Sequence, residues 1–415
     1  MSALQSTSEL NAYQRAWFTT LRERAAAGEP IGIASAASTE ELFQVLDIPY
    51  VISTWWSAVV GARRKTSLYQ DRMAEHGFPS DGHIAPVLGS AYVTEADDPP
   101  WGGLPRPSFI VETASGDASR KVHELYAREF YPGADCYLLE RSVGTELEPY
   151  PRWWERTAHD WDALLSPARI DLHLAEMEGI IRGLEQRVGR TFSVSRLKQV
   201  MDLSNQQLEL YGAARDLIAR SVPSPVSVVD TMLVATIPRW HWGTVWARDV
   251  VKAFYAEISE RAARGEGAIQ DERIRLMWIG PGLWSNLAFY QYFEERFGAA
   301  FIWSMYLAES EVYLRYYDSG DPLRALAARW VANNELFHAP PWSAEWHLKE
   351  ARLHQVDGVV IRDPSEHWSA VALERAGIPV IELADASDAE RIQADVSAFI
   401  EERVAPVAAQ RMALR

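Results

Sequence analysis

Arg275-Leu276-Met277-Trp278-Ile279 runs directly into Gly280-Pro281-Gly282-Leu283-Trp284, and this stretch decides the fold class. The first five residues are mostly large and apolar and do not alternate, as in a strand covered on both faces. Two glycines around a proline stop the strand, and a helical pattern then reaches Phe297. A strand that turns through glycine into a helix is half of a parallel βαβ unit. Toward the C-terminus the alternation continues. Strands are expected at 301–305, 358–361 and 379–383, with helical stretches near 322–337 and 343–355. A further helix ends near Ala376 and a last one starts near Asp388.

The N-terminal part repeats the theme. A helix is expected over 9–27, ending at Gly28, followed by a short apolar run at 28–35. Ser38 with Glu41 three residues later has the spacing of a capping box opening a helix to Leu46. Strands follow at 48–53, 109–112 and 136–140, separated by helical patterns at 57–76 and 119–130. From 151 to 263 the pattern is helical, with long segments at 170–188 and 194–219 and turns at 223–225 and near Pro238. The expectation is an α/β fold: two doubly wound parallel-sheet lobes, 1–150 and 268–415, around a mainly helical segment at 151–267. A chain of 415 residues suits two or three units at roughly 150 residues each.

Composition narrows the function. Hydrophobic residues make up 48% and charged residues 24%, which suits a globular core and excludes a wholly disordered chain. With 41 basic and 57 acidic residues the net charge is -16, which repels phosphate backbones and argues against nucleic acid as the main partner. No signal-peptide pattern and no apolar run of membrane-spanning length is read, so a cytoplasmic protein without a membrane role is expected. Trp is abundant, with 17 residues, whereas Cys136 stands alone. One thiol closes no internal disulfide and cannot supply the thiolates of an iron–sulfur cluster.

In open α/β sheets ligands bind beyond the carboxyl ends of the strands. Four segments fall there: Thr54-Trp55-Trp56-Ser57, Thr113-Ala114-Ser115-Gly116-Asp117, Gly280-Pro281-Gly282-Leu283-Trp284, and Arg362-Asp363-Pro364-Ser365-Glu366-His367-Trp368. Their tryptophans suit an apolar or aromatic ligand. Arg63-Arg64-Lys65 is a tight basic triplet that suits the phosphates of a coenzyme A ester, or equally a solvated helix face. Nucleotide fingerprints, a P-loop, a nucleophile elbow and a zincin motif are all missing from the sequence. Trp240-His241-Trp242 reads as an imidazole packed and hydrogen-bonded between rings. Glu309, Glu311 and His338 have suitable side chains for acid–base work, but no spacing couples them. Glu366-His367 is the better acid–base pair because it follows a strand.

Six short pieces carry a family resemblance. They are Gly61-Ala62-Arg63-Arg64, Ala74-Glu75-His76-Gly77-Phe78-Pro79-Ser80-Asp81, Leu104-Pro105-Arg106-Pro107, Glu272-Arg273-Ile274 with the opening stretch, Val356-Asp357-Gly358-Val359-Val360, and Ala376-Gly377-Ile378-Pro379. In this order the chain resembles the D-component subunits of 2-hydroxyacyl-CoA dehydratases and the related subunits of ATP-dependent benzoyl-CoA reductases. The resemblance implies paired subunits, an acyl-CoA substrate, an ATP-hydrolysing activator, and a [4Fe-4S] cluster held by three cysteines. At the cluster positions this chain has His83, Gly116 and Glu366, so the resemblance implies no cluster in this chain; a cluster would sit on a partner.

Three readings follow. In the first, the chain is the cluster-free, acyl-CoA-binding half of a heterodimer with a sister subunit, served by an ATP-dependent activator. In the second, it performs cluster-independent chemistry with His83, Glu366 and His367 as catalytic acid–base groups. In the third, it is a non-catalytic acyl-CoA-binding paralogue. In each, Trp55, Trp56, Ser57, Arg63, Arg64, Ser115, Gly116, Trp284 and Trp368 are the expected binding residues, and the Trp content favours an aromatic or bulky acyl group.

Overall fold

Near-continuous apolar runs need cover on both faces, and the chain supplies it by alternating strands with helices. The computed structural model describes residues 4–36, 39–78, 85–114, 123–142, 152–269, 271–284, 286–317, 320–333, 336, 341–383 and 389–413. Among the described residues, eight parallel strands form two sheets. The first sheet holds β1 (Gly32–Ala34), β2 (Tyr50–Ile52), β3 (Phe109–Thr113) and β4 (Asp135–Leu139), in the order β2-β1-β3-β4. The second holds β5 (Ile274–Ile279), β6 (Ala299–Ser304), β7 (Gly358–Ile361) and β8 (Val380–Glu382), in the order β6-β5-β7-β8.

The two orders are the same pattern used twice. In each sheet the second strand lies on one side of the first and the third lies on the other. The strand order therefore reverses between β1 and β3 and again between β5 and β7, where a doubly wound sheet opens a crevice. All six residues of β5 are buried, including Arg275. That guanidinium is tolerated because it is paired: Nη1 lies 2.6 Å from Glu272 Oε1, and Nε donates to the His354 carbonyl at 2.9 Å. The β5–β6 register slips between Leu276 and Met277, leaving Ile302 unmatched.

Helices fill the chain between the sheets. Pro167–Val188 starts with proline in its first turn and ends at Gly189, whose φ of +67° accepts the left-handed closing position. Val194–Arg220 is capped by the Ser193 side chain, which accepts from the Arg196 amide at 3.3 Å. The expected helix at 57–76 is two helices, Ser53–Ala62 and Thr66–Glu75. A Schellman closure separates them: the Arg64 amide donates to Gly61 O at 2.8 Å and the Lys65 amide to Val60 O at 3.1 Å. Arg64 takes the left-handed position at φ +54°. The capping-box serine, Ser38, lies outside the described residues; Glu41 spends its carboxylate on Arg329 instead. Among the described residues no helix is long and apolar enough to cross a membrane.

Candidate active site at the two strand-order reversals

In the N-terminal lobe the reversal brings together residues distant in sequence. Ala34 pairs with Val111, so Ser35, one residue past β1, lies beside Glu112 near the end of β3. The Ser35 hydroxyl donates to Glu112 Oε2. Glu112 Oε1 is buried with no hydrogen-bond partner. Burial pushes this carboxyl up to about 7, against the lowering effect of the bonds from Ser35 and the Thr113 backbone. The buried Tyr126 phenol, its hydroxyl without a partner, is pushed well above its ordinary value by burial and then by Glu112. A carboxyl that exchanges its proton near neutrality at the end of a parallel strand has the properties of a general acid or base.

The C-terminal lobe presents the opposite chemistry. Beyond β5 lies Gly280-Pro281-Gly282, and beyond β7 lie Arg362 and Asp363. Gly280 has φ +104°, and a Cβ there would sit 3.1 Å from the Asp363 amide nitrogen, so the two strand-end segments touch. Arg362 Nη1 donates to the carbonyls of Pro281 and Gly282 at 3.2 and 3.4 Å. Partial burial lowers its affinity for the proton, and the neighbouring Tyr290 and Tyr306 act in the other direction. The Tyr306 hydroxyl accepts from the Gly282 amide at 3.1 Å and from Trp284 Nε1 at 3.2 Å. Trp284 meets Tyr306 edge-on, with centroids 5.7 Å apart.

Buried ion pairs tie the segment that leaves β1 to the helix Pro322–Ala332 and the segment that leaves β6 to the helical part. Arg329 makes two 2.6 Å contacts to Glu41, one from each terminal nitrogen. Arg239 pairs with Glu309 and stands over the Tyr313 ring at 4.6 Å. Both guanidinium groups lie over Trp242, at 5.5 and 5.4 Å. Nearby Arg315 is 1% exposed, and its Nε and Nη2 have no hydrogen-bond partner. Burial, with Arg329 second, lowers it to about 9.

Several expected site residues stand elsewhere. Trp55 and Trp56 are sealed in the core rather than lining an open pocket. Trp55 packs against Trp17, Phe18, Trp101 and Trp240, while Trp56 stacks on Phe18 and donates to Ser90 Oγ at 3.0 Å. They follow β2 in a first helical turn, where the leading helix Leu10–Ala26 covers them. Ser57 bonds its own helix at the Ser53 carbonyl. Arg63 and Arg64 are exposed at the far end of that helix, about 15 Å of helical rise from the strand end. Glu366 and His367 diverge: Glu366 turns inward, accepting from Ser369 Oγ at 2.7 Å and lying 3.4 Å from His347 Nδ1. His367 turns outward to Glu382 at 3.0 Å. Trp368 is 62% exposed, since the helix His367–Arg375 presents it to solvent. His83, Ser115, Gly116 and His338 lie outside the described residues. Only Trp284 among the expected binding aromatics stands beside a reversal.

Other expectations resolve simply. His241 is buried and its Nε2 lies 2.9 Å from Gln14 Oε1; burial lowers it to about 3. Glu309 and Glu311 are ion-paired, Glu309 to Arg239 and Glu311 to Arg215 and Lys349. A cavity of about 750 Å³ lies at the opposite end of the second sheet, lined by Asp271, Arg273 and Gly298 before β5 and β6. Sequence reading missed Glu112 because it looks like the polar end of a strand. Its contact with Ser35 spans 77 positions.

The single cysteine of the sequence does not supply the three thiolates of a [4Fe-4S] cluster. Cys136 is the second residue of β4, paired in register with Ile110. Its Sγ lies 3.7 Å from the Ala134 carbonyl, and burial, then Asp135 and Glu112, push the thiol up to about 11. It is the sole cysteine in the sequence and a protonated one at neutral pH. No group of three His, Cys, Asp or Glu among the described residues is placed to hold a metal ion.

Residues 37–402 match the family model for the 2-hydroxyglutaryl-CoA dehydratase D-component. Over 289 residues the chain is 22% identical to the alpha subunit of (R)-2-hydroxyisocaproyl-CoA dehydratase from Clostridioides difficile, covering 67% of this chain and 64% of that subunit. With most of its length matched by that model, the chain belongs to the 2-hydroxyglutaryl-CoA dehydratase D-component family.

Proposed function

We propose that this chain is an acyl-CoA-binding subunit of a dehydratase complex, that it carries no iron–sulfur cluster of its own, and that a sister subunit of the same family supplies one. The observation that carries the reading is the near-neutral Glu112 carboxyl at the N-lobe reversal. Removing water from a 2-hydroxyacyl thioester requires a proton on the departing oxygen and a base for a carbon-bound proton. A carboxyl whose proton affinity burial raises toward neutrality serves either need, and Ser35 holds it by one oxygen, leaving the other without a partner. The Trp284–Tyr306 pair supports an aromatic or bulky acyl group. In this reading the complex is cytoplasmic and is activated by an ATP-dependent partner.

The same carboxyl supports a second reading, in which the chain alone performs acid–base lyase chemistry on an acyl-CoA. Anaerobic co-purification with iron analysis, followed by calorimetry with phenylacetyl-CoA, separates the two. The first reading expects an iron-bearing sister subunit to co-purify and the isolated chain to bind the ester without turning over its 2-hydroxy analogue. Turnover by the isolated, iron-free chain selects the second reading. Stoichiometric iron on the isolated chain overturns the absence of its own cluster, and no affinity for any acyl-CoA overturns both readings.

A further inference from the structure

We propose that Arg362 is an oxyanion-binding residue that takes a phosphoryl group of the coenzyme A half of the ligand against the Gly280-Pro281-Gly282 turn; this rests on the acyl-CoA reading above. Other arginines around the second sheet are matched by carboxylates: Arg275 with Glu272, Arg403 with Glu374, and Arg411 with Asp357. Arg362 has no ion pair among the described residues. The adjacent Asp363 carboxylate is engaged by the Ser365 amide at 2.9 Å and hydroxyl at 2.7 Å. The two nearby phenols offer no charge, because burial raises both Tyr290 and Tyr306 above their ordinary values.

The side chain is nonetheless held in place. Nη1 alone makes both bonds to the turn carbonyls, so among the described residues Nε and Nη2 remain as a free edge on a half-buried group. A guanidinium fixed on one side and open on the other loses little freedom when it binds a phosphoryl group. Gly280 keeps a side chain out of the point where the two strand-end segments meet. The position is the strand-order reversal, where a doubly wound sheet receives its ligand. A partly desolvated cation without a counter-ion also gains more from an anion than an exposed, already paired one.

The test uses the full chain in calorimetry with four probes: phenylacetyl-CoA, phenylacetyl-pantetheine (which lacks the phosphoryl groups), inorganic pyrophosphate, and glutarate. The wild-type chain should bind the CoA ester more tightly than the pantetheine ester, and pyrophosphate should compete with the CoA ester. Arg362→Gln should weaken the CoA ester on the order of 10- to 100-fold, leave the pantetheine ester unchanged, and abolish competition by pyrophosphate. Arg362→Lys should retain part of the affinity and controls for folding. Equal losses for both esters, or no loss for either, overturn the assignment. Competition by glutarate but not pyrophosphate makes the anion a carboxylate and overturns the phosphoryl assignment. If neither ester binds but pyrophosphate does and Arg362→Gln abolishes it, the oxyanion site stands and the acyl-CoA reading falls.

Discussion

The two lobes share one strand order and differ in what they place at its reversal. The N-terminal lobe buries an acid, Glu112, against a hydroxyl. The C-terminal lobe exposes one edge of a cation, Arg362, beside a glycine turn and an aromatic pair. Parallel order dictates where a ligand can reach the backbone, whereas single side chains dictate what is done there. Under the proposed function, this difference divides proton handling in one lobe from ligand retention in the other.

Breaking the acid side should have the largest effect. Glu112→Gln in the assembled complex should lower kcat by about 10²- to 10⁴-fold with a small change in affinity, measured by steady-state turnover. The same variant sharpens the assignment through stability. Native Glu112 keeps its proton up to about pH 7, whereas the unfolded chain releases it near 4.5. This group's contribution is therefore complete below pH 4.5 and falls by about 3 kcal/mol as the pH rises through 7. Denaturant titrations from pH 4.5 to 8 should show that Glu112→Gln gains stability over wild type as pH rises. A constant difference would break the assignment.

The aromatic groups of the two lobes should separate next. Trp55→Ala should cost about 3–5 kcal/mol of stability, seen as a lower denaturant midpoint, because the buried ring is sealed among five others. Trp284→Ala should instead weaken aryl-CoA binding while shifting the midpoint little, since Trp284 is half-buried at the turn. The buried arginines give a pair of opposite signs. Arg329→Met strands Glu41 and should destabilise by about 3–5 kcal/mol, while Arg315→Met removes a buried cation with no ion pair among the described residues and should be neutral or stabilising. The smallest effect belongs to His367→Ala. It breaks an exposed pair with Glu382 and should change stability by less than about 1 kcal/mol and turnover not at all.

Much of this architecture was legible beforehand. Strand–turn–helix alternation is a local signal, and β5, β7 and the long helices fall within a few residues of their expected positions. Family membership was legible in short ordered pieces, and His241 was readable as a packed imidazole because its tryptophan neighbours are adjacent in sequence. The site was less legible. Glu366 and His367 look like a pair, yet the turn from Pro364–Glu366 into the helix His367–Arg375 sends one inward and the other to solvent. Trp55 and Trp56 follow a strand as a pocket residue would, yet a helix from the start of the chain covers them.

The sequence by itself determined the parallel α/β class, the family, and the shortage of thiolates, because each depends on residue order or residue count. Only the tertiary structure decided which strand-end residues share a reversal. Ser35 and Glu112 are 77 positions apart, and Pro281 and Arg362 are 81 apart. Their meeting follows from parallel pairing across the sheet. Burial, which turns an ordinary strand-end glutamate into a near-neutral acid, likewise depends on packing that no local pattern encodes.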